Sequence, residues 1–123
     1  MKTTEKQWGE SRELVSNQQV EVHSITIRPG GHCSWHHHER KVNEFVIVSG
    51  TLIIEWSTAK TWADHTWRDH FMTTLRKGES MAVPAGRIHR FVNKSGAPVE
   101  ALEVYYPEVL GVDIVRHSTG GIL

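Results

Sequence analysis

The apolar residues of this chain recur with a period of two, and Gly and Pro interrupt them at short intervals. Residues 20–27 (V-E-V-H-S-I-T-I), 43–48, 51–56, 71–75, 80–83, 88–92 and 99–105 are each four to eight residues long and rich in Val, Ile, Thr, Phe and Tyr. Alternation of this kind places one set of side chains on one face of a strand. Pro29-Gly30-Gly31 stops the first run, and Ser49-Gly50 turns the second back into the third as a hairpin. Arg76-Lys77-Gly78-Glu79, Pro84-Ala85-Gly86 and the stretch K-S-G-A-P at 94–98 separate the rest. A sustained helical period is missing throughout. Many short strands divided by turn residues specify an all-β sandwich or barrel.

Residues 57–70 (S-T-A-K-T-W-A-D-H-T-W-R-D-H) break this rhythm. The stretch is polar, holds Trp62, His65, Trp67 and His70, and does not read as a strand. It is expected to form a packed surface loop or subunit contact, with a lid over a pocket as the alternative.

Nine histidines in 123 residues is a high count, and they run from His23 to His117 instead of clustering at a terminus as a purification tag would. His36 and His38 are two apart, so on a strand both can point at one spot while His37 faces away. Asn43, Phe45 and Ile47 share one face of the next strand, and Glu44, Val46 and Val48 share the other. His89 can open a later strand. Three imidazoles from separated segments suit a divalent transition metal.

The bulk properties exclude other classes. A length of 123 residues suits one domain with one core. Net charge is zero and the pI is about 7.1, so there is no basic footprint for nucleic acid. The apolar runs are too short to span a bilayer, and no membrane partner is expected. The N-terminal residues M-K-T-T-E-K-Q-W-G-E lack an apolar signal core. With the single Cys33, these features lead to the expectation of a cytoplasmic protein.

Two ordered spacings then coincide. From Gly30 the pattern is G-x5-H-x-H-x4-N-x6-G, ending at Gly50; from Gly78 it is G-x5-P-x-G-x2-H-x3-N, ending at Asn93. Together they resemble the two-motif signature of the cupin superfamily, with motif 1 at 30–50 and motif 2 at 78–93. R-P-G-G at 28–31, F-V-I-V-S-G-T at 45–51, P-A-G-R-I-H-R at 84–90, P-V-E-A-L-E-V at 98–104 and V-L-G-V-D-I-V-R at 109–116 narrow it further. They resemble the C-terminal domain of type II mannose-6-phosphate isomerase/mannose-1-phosphate guanylyltransferase. Q-W-G-E at 7–10 is similar to that domain's opening. The resemblance implies a single cupin domain over 1–123, a double-stranded β-barrel (jelly roll) holding one divalent metal ion. The nucleotidyltransferase domain of bifunctional members has no counterpart here, so no guanylyltransferase activity is expected.

The chain departs from the resembled pattern at five places, two of which are a longer loop from His38 to Asn43 and the added length of 57–70 between the motifs. Asn43 stands where cupins usually have a ligand Glu, Ile88 replaces a Lys before the second-motif His, and S-T-G-G at 118–121 replaces an aromatic-Gly-Arg ending. Glu44 is chemically the better ligand, but alternation turns it outward unless a bulge intervenes. The expected metal ligands are therefore His36, His38, Asn43 and His89, with Glu44 as the substitute for Asn43. Zn, Ni, Fe, Mn and Cu are all candidates. A site without a carboxylate keeps more positive charge and favours Zn²⁺, Ni²⁺, Fe²⁺ or Cu²⁺ over the harder Mn²⁺ or Mg²⁺. The other outcome is a barrel that binds no metal.

Isomerisation of an aldose to a ketose needs a polarised carbonyl and a group that moves a proton between adjacent carbons. Glu103 aligns with a family Glu and is the expected base; Tyr105 on the same face is the expected hydroxyl donor. Arg90 and Arg116 match family arginines and would hold the phosphate of an anionic sugar. Arg28, Glu55, His23, His32 and His117 read as surface or turn residues. Cys33 has the opposite parity to His36 and His38. Two alternatives stand beside the sugar-phosphate isomerase: a metal-dependent small-molecule dioxygenase, favoured by three histidines without a carboxylate, and a non-catalytic sugar-binding cupin. The outward strip Glu44, Val46 and Val48, with five Trp in the chain, leads to the expectation of a homodimer.

Overall fold

The computed structural model describes residues 2–109 and 111–123, which hold thirteen strands in two antiparallel sheets. The first sheet, in spatial order, is β1 (Thr3–Lys6), β2 (Gly9–Ser16), β3 (Glu21–Ile27), β11 (Val99–Tyr106), β6 (Val42–Ser49) and β9 (Ser80–Val83). The second is centred on β10 (His89–Val92). One edge of β10 pairs with the two-residue strands β4 (Gly31–His32) and β5 (His36–His37), which in turn pair with β13 (Gly121–Ile122) and β12 (Val115–Arg116). Its other edge pairs with β7 (Thr51–Ser57), and β7 with β8 (His70–Arg76). This is the all-β, double-stranded barrel that the cupin resemblance implied. Among the described residues no helix is long and apolar enough to cross a membrane.

Alternation decides what faces inward. Ile25 and Ile27 on β3, Phe45 and Ile47 on β6, and Val99 and Ala101 on β11 are all at most 1% exposed and form one core with Leu52, Ile54 and Phe91. Each large side chain so buried contributes about 2 kcal/mol before chain entropy is counted. Trp8 closes this end, edge-on to Phe91 at 4.9 Å.

Further along the same three strands the inward positions turn polar. In register, Ala101 lies between Ile25 and Ile47, Glu103 between His23 and Phe45, and Tyr105 between Glu21 and Asn43. One end of the barrel is thus plugged by hydrocarbon, and the other carries carboxylates, imidazoles and hydroxyls on a fixed frame. That gradient positions the site.

All seven expected strands are present, as β3 and β6 to β11. The hairpin of β1 and β2 was not expected, because T-T-E-K-Q-W-G-E-S-R-E-L-V-S is too polar to show a buried face. Its turn depends on Gly9, at φ 153°, where a Cβ would fall 1.8 Å from the Thr26 carbonyl oxygen. Its outward face is held by Arg12, which bonds Glu10, Ser24, Thr26 and Glu100.

Candidate metal centre and its cavity

β5 and β10 bring His36 directly opposite His89, and His38 follows just beyond β5. All three rings are buried, with centroids 4.4 Å (His36–His89), 4.9 Å (His36–His38) and 5.7 Å (His38–His89) apart. One nitrogen from each lies within 4.8 Å of the others. Each Nδ1 sits on a backbone carbonyl: Ser34 at 2.7 Å for His36, Asp113 at 2.6 Å for His38, Arg87 at 2.9 Å for His89. A carbonyl only accepts, so all three Nδ1 atoms carry the proton and all three Nε2 atoms are bare lone pairs. Histidine ligands are oriented in this way by their outer partners. Nε2 of His38 is buried without a hydrogen-bond partner among the described residues. Burial lowers the proton affinity of all three, to a pKa of about 3 for His89, which keeps them neutral and able to ligate.

Asn43 is fully buried on β6, as its parity requires, and its Oδ1 is 3.0 Å from His89 Nε2. Its Nδ2 donates to Glu103 Oε2 at 3.3 Å, which fixes the oxygen toward the histidines. Glu44 points out of the barrel, where the Tyr106 hydroxyl donates to it at 2.6 Å. No bulge turns it inward. Three imidazole lone pairs and an amide oxygen converging on one buried point fit a divalent transition metal.

The centre opens into a cavity of about 410 Å³ lined by His36, His38, Glu103 and Tyr105, with Lys6, Lys41 and Arg116 supplying positive charge. Burial raises the Glu103 carboxyl above its ordinary value, although hydrogen bonds from Tyr105 and Asn43 oppose this. Burial, with Glu103 beside it, holds the Tyr105 hydroxyl well above the ordinary tyrosine range. The ammonium of Lys41 lies 4.0 Å over the Tyr105 ring. Arg116, on β12 opposite His36, shares the cavity with the expected base. Arg90 does not join them. Between the inward His89 and Phe91 it faces outward, bonding Glu55 at 3.1 and 3.3 Å beneath the Trp35 ring.

Asp113 ties the C-terminal segment to this centre. Its buried carboxylate accepts from the amides of Glu39, Arg40 and Lys41 at 2.7, 3.0 and 3.0 Å, while its carbonyl holds His38. Burial raises its proton affinity, but the three N–H bonds outweigh this and keep it below the usual carboxylate value.

The 57–70 stretch is neither a strand nor a lid. Two single-turn 3-10 helices, Trp62–Asp64 and Trp67–Asp69, are capped by Thr61 and Thr66. They pack on the outer face of the second sheet, and none of the residues 57–70 lines the cavity. Trp62 stacks on His65 and on His117 at 5.1 and 5.6 Å, and Trp35 packs against Trp62, His65 and His70.

Three residues expected at the surface or in turns lie elsewhere, and the parity expected of Cys33 fails. Glu55 is 2% exposed, between Arg90 and His70. His117 stacks between Trp62 and His37. His23 lines the cavity, as does Cys33. The chain leaves regular strand geometry at 33–35, so parity counted back from His36 does not reach Cys33. Its thiol accepts from the Phe91 amide, and burial raises its pKa strongly. Lys6, Lys41 and Asp113 carried no local sequence signal. Strand pairing places Lys6, while Lys41 and Asp113 meet through the loop at 39–41, whose amides bond the Asp113 carboxylate.

A double-stranded barrel carrying a buried three-histidine centre at its open end defines a cupin. The Mannose-6-phosphate isomerase C-terminal family matches residues 1–119, and the chain belongs to that family. It is 29% identical over 110 residues to the xanthan biosynthesis protein XanB of Xanthomonas campestris, covering 89% of this chain and 21% of XanB. The alginate biosynthesis protein AlgA of Pseudomonas aeruginosa is 27% identical over 109 residues, again 89% of this chain and 20% of AlgA. The chain therefore spans about a fifth of the length of these relatives. A sugar phosphate isomerase of the cupin superfamily from Silicibacter pomeroyi superposes with a TM-score of 0.63 at 22% identity, over 80% of this chain and 59% of that one. At that identity the likeness carries the fold alone.

Proposed function

We propose that this cupin takes a phosphorylated sugar into the cavity beside a divalent metal and isomerises it between aldose and ketose. The observation that carries this reading is the cavity in which His36 and His38 of the three-histidine cluster meet Glu103 and the cations Lys6, Lys41 and Arg116. His36, His38, His89 and Asn43 would hold the metal, which would supply a Lewis acid to a carbonyl oxygen. Glu103, whose burial increases its affinity for a proton, moves the proton between adjacent carbons. Tyr105 donates a hydrogen bond to the sugar, and the cations hold the phosphate. The reading includes a cytoplasmic homodimer joined through the outward Val46 and Val48, which light scattering at micromolar concentration tests.

The experiment is reconstitution with Zn²⁺, Ni²⁺, Fe²⁺, Mn²⁺ or Cu²⁺, followed by assay of mannose 6-phosphate turnover. Turnover that needs metal and falls by about a hundredfold or more in Glu103→Gln is expected. Metal bound without turnover would move the assignment to a non-catalytic sugar-binding cupin. A second reading, an iron-dependent dioxygenase, rests on the lack of a carboxylate among the four candidate ligands. Preferential retention of iron, with oxygen uptake, would favour it.

A further inference from the structure

An aldose–ketose conversion moves two protons, one between neighbouring carbons and one between the oxygens they bear. Glu103 accounts for the first. A second acid–base group beside Glu103 can serve the other, because the two oxygens are borne by the carbons that exchange the first proton.

We propose that His23, oriented by Glu21, is the catalytic residue that moves the oxygen-bound proton. The assignment rests on the isomerase reading of the cavity. His23 is the direct cross-strand neighbour of Glu103, and such pairs stand side by side on one sheet face. Both line the same cavity. His23 Nε2 is 2.7 Å from Glu21 Oε1, and Nδ1 is 3.3 Å from Ser11 Oγ. A carboxylate on one nitrogen fixes the ring, and the long contact to a rotatable hydroxyl leaves the other free to exchange with a sugar hydroxyl. The Tyr105 ring contacts both His23 and His38, at 6.0 and 5.3 Å, which links the dyad to the histidine centre.

Glu103 takes the proton from C2, leaving an enediolate with its charge on O1. His23 then takes the O2 proton and returns one to O1 as C2 becomes the carbonyl, and Glu103 delivers its proton to C1. Without His23 the enediolate re-forms the aldose by protonation at C2.

His23→Gln should therefore separate turnover from exchange. In D₂O, with mannose 6-phosphate and metal-loaded protein, its turnover should fall about a hundredfold or more, while deuterium still enters C2 of the recovered substrate. Glu103→Gln should lose both, and Glu21→Gln should resemble His23→Gln more mildly. Wild-type turnover in His23→Gln overturns the inference and leaves the isomerase reading intact. Loss of exchange along with turnover, in a folded and metal-loaded variant, overturns the division of roles. If His23→Gln does not fold, Glu21→Gln is judged by the same two readouts. A wild-type protein with neither turnover nor exchange overturns both readings.

Discussion

Asn43 Oδ1 lies 3.0 Å from His89 Nε2, and neither atom carries a proton to share. The Nδ1 proton of His89 is committed to the Arg87 carbonyl, and the amide nitrogen of Asn43 to Glu103. Two acceptors held face to face in a buried site repel unless a cation lies between them. Ligands about 2.1 Å from one ion and at right angles to each other stand about 3.0 Å apart. The pair thus has the spacing of neighbouring ligands. Asn43 also couples the centre to Glu103, so the residue that replaces the usual ligand carboxylate sets the environment of the expected base.

Replacing Asn43 tests that coupling. Asn43→Glu adds a negative charge to three neutral imidazoles and should tighten metal binding, most for the hard ion Mn²⁺. It also removes the donor to Glu103 and sets two carboxylates together. Asn43→Leu should weaken binding about tenfold, or about 1.4 kcal/mol. Competition against a chelating dye measures both, and unchanged affinity in both would remove Asn43 from the ligand set.

The histidines make the metal-free protein sensitive to acid. His36, His38 and His89 have folded-state proton affinities below the ordinary histidine value because they are buried. At neutral pH they are uncharged in both folded and unfolded chains. As pH falls below the ordinary histidine value of about 6.5, the unfolded chain takes up protons that the folded chain refuses. Stability should therefore decline from about pH 6.5 toward the His89 value of about 3. Urea midpoints between pH 7 and 4 check this. The slope should be shallower in His89→Ala, and a flat profile in the metal-free wild type would contradict the assigned burial.

Asp113 should matter more than its place in a C-terminal segment suggests. Asp113→Ala leaves the amides of Glu39, Arg40 and Lys41 without their acceptor. Loss of these charge-assisted bonds should cost about 3 kcal/mol, read by urea denaturation. The loop bearing His38 and Lys41 loosens with it, so metal affinity should fall as well. A variant with wild-type stability would show that the loop is held by other contacts.

Much of this centre was legible because a cupin site obeys spacing. His36, His38 and His89 follow from two ordered motifs, and the inward turn of Asn43 follows from alternation with Phe45 and Ile47. The failures have physical causes. In V-E-V-H-S-I-T-I the apolar phase inverts: Val20 and Val22 face outward while Ile25 and Ile27 face inward, so hydrophobicity alone could not place His23. Extending the phase of the two isoleucines back to His23 and Glu21 would have found both. Arg90 matched a family arginine, yet its neighbour His89 takes the inward position and leaves it to Glu55. Lys6 reaches the site through strand pairing, and Asp113 through the loop at 39–41, far from it in sequence.

The 57–70 stretch should act as a strut behind the ligands. Trp35 immediately precedes His36; its amide donates to Ser118 Oγ at 2.7 Å, and its carbonyl accepts from the His117 amide at 2.7 Å. Its ring is backed by Trp62, His65 and His70. Trp62→Ala removes a ring that meets Trp35, His65 and His117 at once, without touching the cavity. About 2 kcal/mol of stability should be lost, since a large aromatic is deleted from a half-buried stack. Metal should also dissociate faster, because the backbone at 35–36 is no longer held from outside. Thermal unfolding with and without metal, together with chelator-driven release rates, separates the two effects. Lower stability with an unchanged release rate would restrict the strut to the fold and leave the metal centre independent of it.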